Sequence, residues 1–365
     1  MSVTVGDIAR RVDEYFPQDW AEPWDKVGLS AGDPSATVSG VLVTLDPSVV
    51  VVDEAASRGA NVVVTHHPAT LGTHERFTAG SDAAVLYHAA SRNVALIAAH
   101  TNLDRAPGAG RALAARLGWT AVDPLESSAM AVDVVTVFVP AEAASHVRAA
   151  MASAGAGRIG QYEACSFTTA GAGRFTPGVS ARPYAGVPGA PSQAEEERIE
   201  MIAPAGRGES VAAAAAAAHP YEEPLVIVTE SRIRRGAARM GAVCEVDGSP
   251  TLEAIVRHAS AALDCVPRVW GDPSRPITRA ACATGSAGSL VPDALRAGAD
   301  VLLAGEVRYH DALAALEAGL AVIEVGHDVS EWPLVPLLAE AVASTPGLEE
   351  SDIHVDRPRR GWWTP

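Results

Sequence analysis

Asn61-Val62-Val63-Val64-Thr65-His66-His67-Pro68 is the stretch whose reading decides the fold. Its β-branched, apolar half suits a central parallel strand, which is buried on both faces. Pro68 has no backbone N–H for a sheet ladder, so the strand ends at the two histidines. Neighbouring side chains of an extended chain point to opposite faces. His66 and His67 can therefore serve two places about one point. A two-metal site, with ions roughly 3.5–4 Å apart, uses such a pair. The other reading is two polar residues leaving a core strand.

Two further stretches end in the same way. Val94-Ala95-Leu96-Ile97-Ala98-Ala99-His100 is followed by Thr101-Asn102-Leu103-Asp104, and Leu320-Ala321-Val322-Ile323-Glu324-Val325-Gly326-His327 by Asp328-Val329-Ser330-Glu331. In open parallel sheets, ligands sit beyond the carboxyl ends of the strands. Three strands that deliver histidines and carboxylates to that edge make a mixed imidazole and carboxylate cluster. Such donors suit zinc, iron or manganese rather than a thiolate-selected metal.

The 365 residues are enough for two or three domains, and 48% are apolar. A net charge of −16 argues against duplex nucleic acid as a partner, because phosphate contacts need a basic face. Cys165, Cys244, Cys265 and Cys282 are widely spaced and suggest neither a disulfide framework nor a zinc ribbon. The first residues lack a basic segment and a long apolar segment, so no secretory signal is expected. No apolar run reaches the roughly 18 residues of a membrane span. A cytoplasmic protein that contacts no membrane is the simplest expectation.

Thr4 to Phe16 reads as an amphipathic helix with Thr4 as N-cap and Asp7 three residues on. The segment 21–30 has no periodicity. Its Asp25 is read as bonding local amides, the alternative being that it faces the site. Val38–Leu45 is a strand, Ser48–Arg58 a helix closed by Gly59, 82–91 a helix and Gly108–Leu117 another. This alternation predicts a right-handed α/β unit. After Arg239 the pattern returns, with a helix at 252–263 and strands at 277–284 and 300–304. His310 opens a helix, and Glu331 is placed in the first turn of the last helix, near Pro333. Gly285-Ser286-Ala287-Gly288-Ser289 is not the G-x-S-x-G pentapeptide, so a serine hydrolase is rejected. The tail Arg357–Trp363 is expected to be exposed or packed on a neighbour.

Between about 129 and 233 the order becomes strand, helix, strand, strand, helix, strand, the ferredoxin-like pattern. The segment 171–178 reads as a turn-rich loop, either a hairpin connection or an anion cradle. His219 with Glu222 and Glu223 is either a helix stop or a further metal site.

With these residues in place the chain resembles the Nif-three-like family, often described as GTP cyclohydrolase 1 type 2 homologues. The matching motifs are Trp24-Asp25-Lys26-Val27-Gly28-Leu29, Thr65-His66-His67-Pro68, His100-Thr101-Asn102-Leu103-Asp104, and Gly305-Glu306-Val307-Arg308-Tyr309-His310-Asp311-Ala312 through Gly326-His327 to Glu331. Gly173-Arg174-Phe175 and His219-Pro220-Tyr221-Glu222-Glu223 match the longer members. The resemblance implies a two-lobed, three-layer α/β fold, with lobes at 1–128 and 234–365 and a PII/CutA-like ferredoxin-like insert at 129–233. It implies a homo-hexameric ring and two divalent metal ions per chain, held by His66, His67, Asp104, His327 and Glu331, with His100 beside them. Tyr309 departs from the family, many of whose members carry a second histidine there.

If the protein is an enzyme, two metals would lower the pKa of a water, and His100 or His310 would act as general acid or base. The expected reaction is hydrolysis of a nucleotide-like or phosphate-bearing small molecule; nothing in the residues reads a guanine. The alternative is a non-enzymatic metal-handling or regulatory scaffold that binds partner proteins.

Overall fold

A computed structural model describes residues 2–160, 162–234 and 236–356, so the tail Arg357–Trp363 lies outside the described residues. The chain divides into two compact units, Met1–Ser127 with Gly236–Pro365, and Ser128–Arg235.

The first unit is mixed α/β and contains two mixed sheets. One has the order Gly28–Ala31, Ala95–Ala98, Val62–Thr65, Val41–Thr44, Ile353–Val355. Only Gly28–Ala31 is antiparallel to its neighbour. The other has the order Arg268–Trp270, Ala321–Glu324, Val301–Glu306, Arg279–Ser286, Ala242–Glu245, Thr120–Asp123. Its three inner strands, Ala321–Glu324, Val301–Glu306 and Arg279–Ser286, are parallel, and each of the other three strands is antiparallel to the strand it pairs with on its inner side. Val41–Thr44, Val62–Thr65 and Ala95–Ala98 are buried at every position, as their unbroken apolar runs require. Each fully buried valine or leucine contributes roughly 1.5–3 kcal/mol before chain entropy is counted.

Local signals set the ends of the helices. Thr4 and Asp7 form a reciprocal capping box on Val5–Tyr15, whose Val5, Ile8 and Val12 are buried on one face. Ser48 caps Val49–Ser57, and Gly59 follows with φ 77°. Glu331 differs from expectation. It ends a separate short helix, His327–Glu331, and Pro333 lies in the 3₁₀ turn Trp332–Leu334 before the helix Val335–Ala343. Two prolines, Pro333 and Pro336, break what reads as one helix into three pieces, since each lacks an N–H.

The second unit is a four-stranded antiparallel sheet in the order Phe167–Phe175, Ser192–Pro204, Ala129–Pro140, Val226–Arg234. Helices Ala144–Ser153 and Gly208–Ala218 share its core with Val135, Val137, Val139, Ile199 and Met201. The expected loop from Gly171 begins only after Phe175; residues 171–175 continue the edge strand, with Gly173 opposite Ala194. A Cβ on Gly173 would come within 2.3 Å of Glu196. Gly173 thus sits in an exposed edge strand rather than in a turn. His219 is a helix stop: its Nε2 donates to Phe138 O at 2.9 Å, and its Nδ1 accepts from the Tyr221 amide at 3.0 Å. Both ring nitrogens are thus occupied.

Candidate metal centre

The carboxyl ends of the parallel strands in both sheets of the first unit supply the site. Val62–Thr65 leads into His66 and His67, and Ala95–Ala98 into His100. Asp104 closes the short helix Thr101–Asp104, and Ala321–Glu324 leads to His327 and Glu331. Three ligand groups form, each with its donor atoms within 4.8 Å of one another: His66, Asp104 and Glu331; His67, His327 and Glu331; His66, His67 and His100.

Glu331 is the hub. Its Oε1 lies 3.1 Å from His327 Nε2 and 3.6 Å from His66 Nε2, and its Oε2 lies 3.0 Å from His67 Nε2. His66 Nε2 also faces Asp104 Oδ2 at 3.7 Å.

Each histidine is held by its other nitrogen. His66 Nδ1 is 2.9 Å from Ala99 O, His67 Nδ1 2.7 Å from Asp46, His100 Nδ1 2.9 Å from Asp25 and His327 Nδ1 3.2 Å from Glu306. A carbonyl or carboxylate can only accept, so Nδ1 carries a proton in each case, and Nε2 is the nitrogen turned into the site, able to bind a cation when its ring is neutral. Such outer partners fix a metal-binding imidazole in orientation and tautomer. Thr284, in the strand Arg279–Ser286, donates to Asp104 Oδ1 at 2.5 Å.

The donor set fits a cation. His66 is wholly buried, yet its Nε2 has no hydrogen-bond partner. Unpaired buried polar atoms are costly, and a metal ion satisfies convergent lone pairs of this kind. The electrostatics agree. Burial opposes ionisation of Glu331, but His327, His66 and His67 hold its carboxyl well below the usual range. Burial, against the pull of His66, raises Asp104. Burial works against a charged His67, but Asp46 and Glu331 push it up to about 10. Glu331 brings His327 up to about 9, against burial. The carboxylates thus hold protons on the imidazoles where a cation would stand.

Asp25 does more than bond local amides. It accepts from the Lys26 amide, but also from His100 Nδ1 and from the amide and hydroxyl of Thr101. His310 stands apart: it is exposed in the first turn of Tyr309–Glu317, its ring against Tyr309, and belongs to none of the three groups. Asp46, Glu306 and Thr284 were missed by the sequence reading. Glu306 ends Val301–Glu306, Asp46 stands two residues past Val41–Thr44, and Thr284 lies two residues before the end of Arg279–Ser286, so the strand-end rule points to this edge without separating them from other polar residues there.

The family model for Duf34/NIF3 (NGG1p interacting factor 3) matches residues 3–356. The chain belongs to this family. A Mycobacterium tuberculosis relative named GTP cyclohydrolase 1 type 2 homolog is 34% identical over 353 residues, covering 94% of this chain and 92% of its own length. A Bacillus subtilis relative of the same name is 31% identical and covers 89% and 88%. Among solved structures, a Bacillus cereus protein related to NIF3 is 30% identical, with a TM-score of 0.63 over 98% of each chain. A Staphylococcus aureus protein is 25% identical, with a TM-score of 0.66 over 100% of this chain and 99% of its own. The mixed α/β fold is thus that of NIF3 neighbours. Among the described residues, no helix of this NIF3-family chain is long and apolar enough to cross a membrane.

Proposed function

We propose that the chain binds two divalent cations and hydrolyses a phosphate-bearing or nucleotide-like small molecule. The observation that carries the reading is the sharing of Glu331 between two three-ligand groups, one with His66 and Asp104 and one with His67 and His327. A carboxylate with both oxygens turned toward histidine nitrogens suits two ions side by side, the arrangement of many phosphoesterases. Without a thiolate among the donors, zinc, iron and manganese fit the set. When bound, such a pair supplies Lewis acidity and lowers the pKa of water.

The protein's own residues do the rest. His66, His67, Asp104, His327 and Glu331 hold the ions. His100, oriented by Asp25, holds or moves a proton at Nε2 beside them. His310, exposed on its helix, would serve as a second proton-transfer group only for a substrate that reaches out to it. The relatives' name describes those relatives; ring opening of GTP is not part of this reading.

The same reading takes the chain as two Nif-three-like lobes, 1–128 and 234–365, around a ferredoxin-like insert of PII/CutA type at 129–233. The strand order and two helices of the second unit support this. It also takes the assembly as a homo-hexamer, to be tested by the mass of the native particle in solution.

The deciding experiment is metal analysis by mass spectrometry on untagged protein, followed by a screen of phosphate esters and nucleotides. About two cations per chain, falling in His67→Ala and His327→Ala together with loss of turnover, is the expected result. Full metal occupancy with no turnover of any ester or nucleotide would overturn the hydrolase in favour of a metal-handling scaffold.

A further inference from the structure

Trp24 is 54% exposed, although a tryptophan side chain buries more apolar area than almost any other. Flexibility does not account for it, because the turn that carries it is pinned on both sides. The Asp25 amide donates to Glu22 O at 2.9 Å, and the Glu22 amide to Thr101 Oγ1 at 2.9 Å. Arg105 holds the Glu22 carboxylate at 2.7 Å and Trp20 O at 3.1 Å. Asp25, the next residue, is fixed by Lys26, His100 and Thr101. The backbone that carries the indole is thus held at a set place beside the candidate centre, where the ring stands edge-on to His100, with centroids 5.9 Å apart at 74°. His100 in turn touches the rings of His66 and His67, at 5.3 and 5.5 Å.

We propose that Trp24 is a stacking platform for a planar, aromatic part of the molecule processed at the centre, so that the substrate class is a nucleotide rather than a plain sugar phosphate. The inference rests on the phosphate-bearing substrate of the preceding reading and narrows it. A rigid aromatic face already in place loses little entropy on binding, which favours a flat ligand. An indole stacks on any π-face and accepts every base alike.

The test is calorimetric binding of guanosine 5′-monophosphate, adenosine 5′-monophosphate and ribose 5-phosphate to metal-loaded protein, wild type beside Trp24→Ala and Trp24→Phe. Metal content and native mass are measured on the same samples. Wild type should bind both nucleotides about tenfold more tightly than ribose 5-phosphate. Trp24→Ala should abolish that preference, Trp24→Phe should keep most of it, and metal content should be equal in all three. A preference that survives Trp24→Ala overturns the platform. So does a change of native mass in Trp24→Ala, which would mark the indole as a contact between copies. Equal binding of all three probes by wild type sinks the platform and leaves the phosphate reading standing. A metal-replete wild type that binds none of them sinks both.

Discussion

His327 and Glu331 stand one helical turn apart on a five-residue helix, with His327 Nε2 3.1 Å from Glu331 Oε1. Residues four apart lie on one face of a helix, so this short element delivers both groups to the same point. Glu331 belongs to two ligand groups, whereas His327 and Asp104 each belong to one. The sharing predicts unequal losses. Glu331→Gln, almost the same shape without the charge, should empty both positions. His327→Ala and Asp104→Asn should each leave about one cation. Metal analysis of the three variants checks this, and an equal partial loss in all of them would refute the shared ligand.

Asp46 and Glu306 act through His67 and His327. Their side chains are 58% and 57% exposed, and exposed ion pairs contribute at most about 1 kcal/mol. Asp46→Ala and Glu306→Ala should therefore barely change the melting temperature of the metal-free protein. Metal affinity should fall about 10–100-fold, because an imidazole without its outer partner loses orientation and basicity. Titration against a competing chelator measures it. Unchanged affinity in both variants would reduce these carboxylates to surface charge.

The sequence made the central strands legible because their apolar runs are continuous and end in polar residues of one chemical kind. Val62–Thr65 and Ala95–Ala98 are also flanked by helices with readable caps and stops, such as Ser48 and Gly59. The edge strands were not legible. Gly28–Ala31, Arg268–Trp270 and Ile353–Val355 have four residues or fewer and face solvent in part, so no period of two can be counted. Residues 171–175 misled for a related reason: an exposed edge strand has little to bury and tolerates glycine. The partners of the site went unread because Asp46, Glu306 and Thr284 look like ordinary polar residues at strand ends. Only the histidines beside them give those positions meaning.

The pH dependence should change sign with metal. In the metal-free protein, His67 is pushed up to about 10 and His327 to about 9, both from an ordinary value of 6.5. A raised folded-state pKa contributes stability that is complete below the unfolded value and is lost as pH rises through the folded one. Metal-free protein should therefore lose stability between about pH 6.5 and pH 10. A cation needs neutral imidazoles and expels those protons, so its affinity rises over the same window. Melting curves with and without chelator at pH 6, 7.5 and 9 should diverge as pH rises. A constant gap would show that protons and metal do not compete at these histidines.

Gly305 tests how tightly the strand end and the short ligand helix are packed. A Cβ there would stand 2.6 Å from Gly285 O, 2.6 Å from Ser330 Oγ and 2.9 Å from the Cα of His327. Two of these are backbone atoms that cannot rotate away, and Ser330 Oγ already accepts the Gly285 amide at 2.8 Å. Gly305→Ala must therefore push the His327–Glu331 helix off the strand ends. Overpacking of this kind costs about 1–3 kcal/mol, or several degrees in melting temperature. Displacing His327 and Glu331 together should also cost metal at both positions. Gly72→Ala is the control, since nothing lies within 4 Å of a Cβ at Gly72. It should match wild type in melting temperature and in metal content. If Gly305→Ala matched it in both, the close packing of ligand helix against strand end would not be what holds the site together.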